Sequence, residues 1–441
     1  MPRAEVANDT GALSTVRVPC LRQRVSDRPL SAAVSHSKAE RRQVSRLMLF
    51  FALAYVVEGA CQAKIGVVWQ PLVHFLKESE GWSPLQVSAH LAVLDIPWVI
   101  KPLYGLISDF VPVLGYRRRT YLLGTNLAAM AAYFWAGSIA APGVLIAVLV
   151  VTSVALAAAS TICGALLVEN GHRHDATAAF VRQQWLWFNV AVVIASLLGG
   201  ALVEWLPARA ALRAAALLAA SMPALALFGL TLVDEEPAPL DLAALRHALS
   251  GVIAAFRSRT LWLIAGFLFL YYFSPGFGTP LYYAMTDRLH FSQGFIGLLS
   301  SISAAGWIGG ALLHRYLLRG LSTRALLNVS IALGTVGTLA FLGMVNEASA
   351  VAVNLFAGIA AMVANIATLT LAAEHCPEGA EGFTFAALMS VINLAGPVSD
   401  TLGSLLYERV FAEQLPPLIV VSAAATALIF ALVPLLRLRP A

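Results

Sequence analysis

Five charged side chains lie inside long apolar stretches of this sequence: Glu58, Lys64, Asp95, Lys101 and Asp400. Charge is costly in a hydrocarbon environment, so each is a candidate for function, and a structural ion pair is the alternative for each. A carboxyl group in a low-dielectric cavity can bind and release a proton near neutral pH. We therefore predict proton coupling at Glu58 and Asp95, and a solute-binding role for Lys64 and Lys101.

The spacing of these charges limits how they pair. Glu58 and Lys64 are six residues apart, as are Asp95 and Lys101. Six residues correspond to about 240° around a helix, so neither pair can form within its own helix. A contact between helices, such as Glu58 with Lys101, remains open.

Polar and aromatic residues near these charges are candidates for lining a cavity. Gln62 lies one helical turn after Glu58, and Trp69 continues the same stripe. The full set predicted for the cavity is Gln62, Lys64, Trp69, Lys101, Tyr271, Tyr272, Asn365 and Asn393. Aromatic faces and amides suit a flat heterocyclic solute. The competing interpretation of the aromatic residues is packing or anchoring at the membrane surface.

The composition indicates which elements must position these residues. The chain is 59% hydrophobic and 12% charged, whereas soluble domains carry about 25% charged residues. Apolar runs of about 20 residues are long enough to cross a bilayer, and they lack the alternation of a barrel strand. The sequence therefore predicts an all-α membrane protein whose surroundings are the lipid bilayer.

Other partners and sites are not expected from these residues. The formal net charge is +5, but the basic residues cluster in predicted loops, so we predict no nucleic-acid partner. The four cysteines form no paired motif, no phosphate-binding motif occurs, and no convergent nucleophile and base stand out. We expect no metal, no cofactor and no enzymatic activity.

About twelve membrane spans are predicted in two halves. Their expected limits are 47–76, 85–108, 119–139, 142–168, 178–203, 210–233, 260–286, 291–316, 323–344, 348–373, 380–407 and 413–436. The corresponding domains are a disordered tail at 1–46, a first bundle at 47–233, a linker with an amphipathic helix at 234–259, a second bundle at 260–436 and a short tail at 437–441.

The basic residues predict the orientation. The two tails and the loops on their side together contain about four times as many arginines and lysines as the opposite loops, with Arg117, Arg118 and Arg119 as a consecutive group. Basic loops stay on the cytoplasmic side. We therefore expect a multi-pass protein of the cell membrane with both termini in the cytoplasm.

The two halves resemble each other. Gln70-Pro71-Leu72 in the first span is echoed by Thr279-Pro280-Leu281 in the seventh, and Glu169 ends the fourth span as Glu374 ends the tenth. Two parallel six-helix repeats are the architecture of the major facilitator superfamily.

A local motif supports the same assignment. Gly105-Leu-Ile-Ser-Asp109 is followed by Gly115-Tyr-Arg117-Arg118-Arg119. This resembles the superfamily's signature between its second and third helices, which implies an inner gate formed by these glycines, Asp109 and the three arginines. The alternative is a set of basic residues that only fix topology.

A longer stretch, Ile96-Pro97-Trp98-Val-Ile-Lys101-Pro-Leu-Tyr-Gly105, is similar to the second helix of the folate–biopterin transporter family. Further patches that resemble it are Phe273–Tyr283 and Met389–Gly396. The resemblance implies alternating-access transport of a small organic solute, folate-like, pterin-like or another organic anion, usually with protons. Open alternatives are a muropeptide-type permease and a non-transporting assembly or pigment-delivery factor. We expect a monomer.

The seventh span should bend. Pro275, Gly276, Gly278 and Pro280 lie within one apolar run. Prolines remove backbone hydrogen bonds and glycines loosen a helix, so this stretch is predicted to be a gate, with a passive kink as the alternative.

Overall fold

The computed structural model describes residues 38–237, 239–240, 246, 257–376 and 381–436. In this part of the chain the regular structure is helical, apart from one isolated bridge between Val113 and Tyr116. Residues 1–37, residues 437–441 and nearly all of the predicted amphipathic helix in the linker lie outside the described residues.

Twelve segments of the described part form the predicted spans. Ten helices are long and apolar enough to cross a membrane, and Arg119–Ala136 and Arg259–Tyr272 complete the set. In chain order the spans are Lys38–Cys61 with Trp69–Glu78, Pro84–Phe110, Arg119–Ala136, Pro142–Arg173, Thr177–Trp205, Ala208–Leu232, Arg259–Tyr272 with Gly278–Asp287, Gln293–Leu318, Thr323–Gly343, Glu347–Glu374, Glu381–Arg409 and Leu415–Leu435.

The first helix begins earlier than predicted. It starts at Lys38 rather than at residue 47, so the expected limit of a disordered tail at residue 46 is wrong for residues 38–46. The physical reason is local: Glu40, Arg41, Arg42 and Gln43 are good helix formers, and the helix continues beyond its apolar part.

The loops define two faces of the molecule. The terminus face carries the start of the first helix at Lys38, the loop 111–118 and the end of the last span at Leu435. The distal face carries the loops 79–83, 206–207, 288–292 and 410–414. The first described helix therefore begins, and the last described span ends, on the same face.

The first and seventh spans are each interrupted. The first is non-helical at 62–68 and the seventh at 273–277. In both, the distal helix resumes two residues before a proline, at Trp69 before Pro71 and at Gly278 before Pro280. A proline there has no N–H to donate back across the gap, so one hydrogen bond that would join the two helical parts is missing. The repeat seen in sequence is thus a repeat of broken helices.

Small residues bring the two halves together. A Cβ added to Gly200 of the fifth span would lie 3.0 Å from Cα of Gly297 in the eighth. The eighth span approaches the tenth in the same way at Gly306 and Gly358, where the corresponding distance is 2.9 Å. Such close backbone contact is the usual packing of helices in membranes.

Polar contacts close the distal face. Lys77 of the first half pairs with Asp287 of the second at 2.6 Å, and the backbone N–H of Leu85 donates to Oε1 of Glu408 at 2.5 Å. Nearby, Gln70 Nε2 donates to the carbonyl oxygen of Gln293 at 2.8 Å. The halves are therefore joined by charged and neutral hydrogen bonds at this face.

Candidate functional site

A cavity adjoins the break in the first span. This central chamber has a volume of about 180 Å³, and its wall includes Gln62, Lys64, Asp95, Trp98 and Asn393. These residues come from the first, second and eleventh spans, so both halves contribute. The chamber brings together three residues predicted for the cavity and one predicted for proton coupling, while Trp98 was not among the predicted site residues.

An ion pair forms part of this wall. Nζ of Lys64 lies 2.6 Å from Oδ2 of Asp95, and the two side chains are 26% and 19% exposed. Lys64 also lies 6.0 Å from the ring centroid of Trp69. The sequence spacing ruled out an ion pair within one helix. In the structure, Lys64 of the first span instead pairs with Asp95 of the second. A charged group that entered the chamber would compete for this pair.

Glu58 and Lys101 are joined through a third residue. Ser160 Oγ lies 2.8 Å from Oε1 of Glu58, and Nζ of Lys101 donates to Ser160 Oγ at 3.0 Å. Gln62 Nε2 also donates to Oε1 of Glu58, at 3.4 Å. The sequence left a Glu58–Lys101 contact open; the structure links the two by a hydroxyl. A serine in an alanine-rich helix gave no sequence signal for this role.

Trp98 connects these partly buried charges to the chamber. Nζ of Lys101 lies 4.8 Å from the centroid of the Trp98 ring. The Trp98 carbonyl accepts a hydrogen bond from Nδ2 of Asn393 at 3.0 Å. Because Asn393 belongs to the second half, a movement between the halves would change the surroundings of this wall.

A second cavity lies closer to the distal face. This distal chamber also has a volume of about 180 Å³, and its wall includes Trp69, Gln70, Thr279, Tyr282 and Asn354. Trp69, predicted for the solute cavity, faces this chamber and lies next to Lys64 of the central one. The two chambers therefore adjoin on either side of the first-span break.

Three residues predicted for the cavity lie elsewhere. The hydroxyl of Tyr271 donates to Ser330 Oγ at 2.6 Å, and the hydroxyl of Tyr272 lies 2.8 Å from Thr368 Oγ1. The carbonyl of Asn365 accepts from the same threonine at 3.1 Å. These contacts hold the seventh, ninth and tenth spans together within the second half, and neither chamber wall includes the three residues.

The predicted gate motif is built around one buried arginine. Arg118 is 6% exposed, and its Nη2 atom lies 2.5 Å from Asp109 Oδ1 and 2.5 Å from Glu169 Oε1. Its Nη1 atom donates to Ser108 Oγ at 2.7 Å. Charge-assisted bonds of this kind are strong and directional. The second, third and fourth spans are tied together by this one side chain.

The other motif residues fix the loop. Gly115 has φ of +84°, a left-handed conformation that favours glycine. A Cβ on Gly105 would meet Thr161 Cγ2 at 3.5 Å, so the fourth span packs against this position. The side chains of Arg117 and Arg119 are not part of the Arg118 cluster described above.

A carboxylate that the sequence analysis did not select completes the loop. Glu235 accepts from the backbone N–H groups of Arg117, Arg118 and Arg119 at 2.8, 2.9 and 2.7 Å. These groups precede and begin the third-span helix, where unpaired N–H groups favour a negative charge. The available signal was the acidic run Asp234-Glu235-Glu236, which by itself indicates only a helix end.

The predicted bend lies at the break of the seventh span. Pro275 and Gly276 are inside the non-helical segment, while Gly278 and Pro280 begin the distal helix. The N–H of Gly276 donates to the carbonyl of Ser399 at 2.8 Å, so the bend rests on the eleventh span.

The sequence pattern of the BT1 family matches residues 64–440. The chain belongs to the BT1 family. A folate-biopterin transporter from Synechocystis sp. is 30% identical over 371 residues, which are 80% of this chain and 73% of that protein. A probable folate-biopterin transporter 4 from Arabidopsis thaliana is 25% identical over 420 residues, covering 76% of this chain and 84% of that protein.

Solved transporters share the fold of this BT1 family member. The nucleoside transporter NupG aligns with a TM-score of 0.67 and 15% identity, over 90% of this chain and all of that one. The xylose transporter XylE from E. coli, in an inward-open conformation, aligns with a TM-score of 0.66 and 13% identity, over 90% and 96%. The predicted all-α major facilitator fold is confirmed. This is a secondary transporter of small organic solutes.

Proposed function

We propose that this protein carries a folate-like or pterin-like anion together with protons across the cell membrane. The main support for this proposal is the wall of the central chamber. This wall combines the Trp98 ring, the amides of Gln62 and Asn393, and the ammonium of Lys64. A flat ring can stack on the indole, its polar edge can bond to amides, and a carboxylate can pair with the lysine. The names of the relatives support the same solute class.

Proton coupling is assigned to the linked charges beside the chamber. When Glu58 is ionised, its negative charge offsets the positive charge of Lys101 through Ser160. When Glu58 binds a proton, Lys101 keeps a charge without an anionic neighbour, and an anionic solute can provide it. Solute and proton would therefore bind together, with Asp95 and Lys64 as a second pair that the solute competes for.

The conformation fits one stage of an alternating-access cycle. The halves are joined at the distal face by Lys77–Asp287 and Leu85–Glu408. With both termini in the cytoplasm, as the basic loops favour, this is the state closed to the outside. We take the protein to act as a monomer, and to catalyse no chemical change in its solute.

The test is uptake into proteoliposomes with and without a pH gradient. Labelled folate, pterin and muropeptide panels would identify the solute class, and folates or pterins are expected to accumulate only with the gradient. Glu58→Gln is expected to abolish accumulation while solute exchange continues. Glu347→Gln, at an exposed helix end, is the matched control. Accumulation of muropeptides alone, or unchanged accumulation by Glu58→Gln, would refute the corresponding part of the proposal.

A further inference from the structure

The hydroxyl of Ser160 bridges two opposite charges inside the first half, those of Glu58 and Lys101. It lies 2.8 Å from a carboxylate oxygen of Glu58 and accepts from the ammonium of Lys101 at 3.0 Å. A hydroxyl has one proton to donate and two lone pairs, whereas an ammonium only donates. With Glu58 ionised, the directions are therefore fixed: Lys101 donates to Ser160, and Ser160 donates to Glu58.

A small cavity reaches the other side of Glu58. Its volume is about 20 Å³, and its wall includes Glu58, Ser160, Asn126 and Cys163. That volume has room for one water molecule. The hydroxyl thus lies between a water-sized space beside the carboxylate and the lysine that contacts Trp98 at the central chamber.

The groups around Glu58 leave Lys101 as its only cationic neighbour among the described residues that line or contact this position. The titratable or charged groups that face it are Lys101 from the second span, Cys163 from the fourth and Tyr55 from its own helix. The third and sixth spans present Leu122, Asn126, Ala226 and Leu230 to the same cavity.

We infer that Ser160 is a positioning residue that transmits the protonation of Glu58 to Lys101, and so links proton binding to solute binding. This deepens the proposed proton coupling and rests on it. A proton on Glu58 turns that carboxyl into a donor and removes the charge-assisted bond from Ser160. Lys101 then loses its anionic counterpart and its ammonium can turn along Trp98 towards an anionic solute. One proton and one solute negative charge enter together.

The first experiment needs no solute. Infrared difference spectroscopy on the purified full chain follows the protonated-carboxyl band as pH changes, and its loss in Glu58→Gln identifies the Glu58 contribution. Ser160→Ala is expected to move the midpoint of that band by about one pH unit, the size of one lost hydrogen bond to a charged group. Ser160→Thr, which keeps the hydroxyl, should return it to the wild-type value. An unmoved midpoint in Ser160→Ala overturns the inference.

The second experiment separates coupling from binding. In proteoliposomes, Ser160→Ala should lose at least about tenfold in gradient-driven accumulation and keep solute exchange within about twofold, with Ser160→Thr restoring accumulation. Ser390→Ala is the control, since Ser390 lies within a span, is buried, and bonds to the carbonyl of Ala386 in its own helix. Equal loss of accumulation and exchange, or failure of threonine to restore a folded variant, overturns the inference.

The two proposals fail differently. If the wild-type chain accumulates no solute under any gradient, the proposed coupled transport fails. The infrared midpoint still decides whether Ser160 senses Glu58 in that case. If the wild type couples transport to the pH gradient, and Ser160→Ala matches the wild type in both the infrared and the proteoliposome assay, only the proposed role of Ser160 is refuted.

Discussion

Asp400 of the eleventh span accepts two hydrogen bonds from Thr279, at the point where the seventh span becomes helical again. The hydroxyl of Thr279 donates to Oδ2 at 2.8 Å, and its backbone N–H donates to Oδ1 at 3.3 Å. Thr279 is the second residue of the distal helix Gly278–Asp287. The carboxylate therefore serves as a helix cap supplied by a neighbouring span, which favours a structural role for this intramembrane charge.

Replacing Asp400 should reduce stability more than coupling. Asp400→Ala removes the acceptor for both donors, and the expected loss in the free energy of unfolding is about 1–2 kcal/mol. The measurement is the thermal midpoint in detergent, alongside exchange and gradient-driven uptake. Thr279→Val, which removes only the hydroxyl bond, should cost less. Loss of accumulation with an unchanged thermal midpoint and normal exchange would instead make Asp400 a proton-binding group.

The two glycines of the bend should respond differently to alanine. A Cβ on Gly276 would lie 2.8 Å from Cα of Asp400, whereas the nearest atom to a Cβ on Gly278 is Asp400 Oδ1 at 3.5 Å. The contact at Gly276 is with backbone, which cannot move aside. The contact at Gly278 is an ordinary van der Waals distance. Overpacking of this kind costs about 1–3 kcal/mol. Gly276→Ala is expected to slow exchange by about tenfold or more, and Gly278→Ala by less than about twofold. Similar solute-exchange rates for the two variants would contradict the prediction that close packing of Gly276 against the eleventh span limits exchange.

The break in the seventh span was predicted from the sequence, whereas the break in the first span was not. Two prolines and two glycines in one apolar run predict a break near Pro275. The first span has a single proline, Pro71, near its gap, together with Gly59 and Gly66. The internal repeat contained the signal for it: Pro71 and Pro280 occupy the same place in the distal helices, so the break predicted for the second half could have been transferred to the first.

Side-chain partners were harder to predict, for a physical reason. Periodicity states which residues share a helix face, but contacts between helices depend on how the helices rotate and tilt. The sequence did not predict a partner for Lys64. In the structure its partner is Asp95 of the next span. Tyr271 and Tyr272 lie on a cavity-bearing span by sequence, yet helix rotation turns their hydroxyls to Ser330 and Thr368.

The Lys77–Asp287 pair should bias the protein towards the state closed at the distal face. Lys77 is 11% exposed and bonds to Asp287 across the halves and to Glu78 within its own helix. Asp287→Asn is expected to remove about 1 kcal/mol from the closed state, a change of roughly fivefold in the population ratio. Spin labels at positions 80 and 410, in distal loops of different halves, would measure the separation.

Two further variants make that measurement decisive. Glu78→Gln removes a bond that does not cross the halves, so it should leave the distance distribution unchanged. Exchanging the charges, with Lys77→Asp and Asp287→Lys together, should restore the closed population. A distribution that is identical in the wild type and Asp287→Asn would mean that apolar packing alone keeps this face closed.

Glu235 should control the order of the gate loop. Its carboxylate accepts from three consecutive backbone N–H groups, those of Arg117, Arg118 and Arg119. Glu235→Ala leaves these groups without that acceptor and loosens the position from which Arg118 reaches Asp109 and Glu169. Hydrogen–deuterium exchange of the segment 117–121 is expected to rise by about tenfold or more, and solute exchange to slow, because the cluster that ties the second, third and fourth spans is no longer fixed. Glu236→Ala is the matched control, since its side chain is exposed and is the next acidic residue along the chain. If Glu236→Ala raised deuterium uptake as much as Glu235→Ala, general acidity of this segment, rather than the three defined hydrogen bonds, would be what orders the loop.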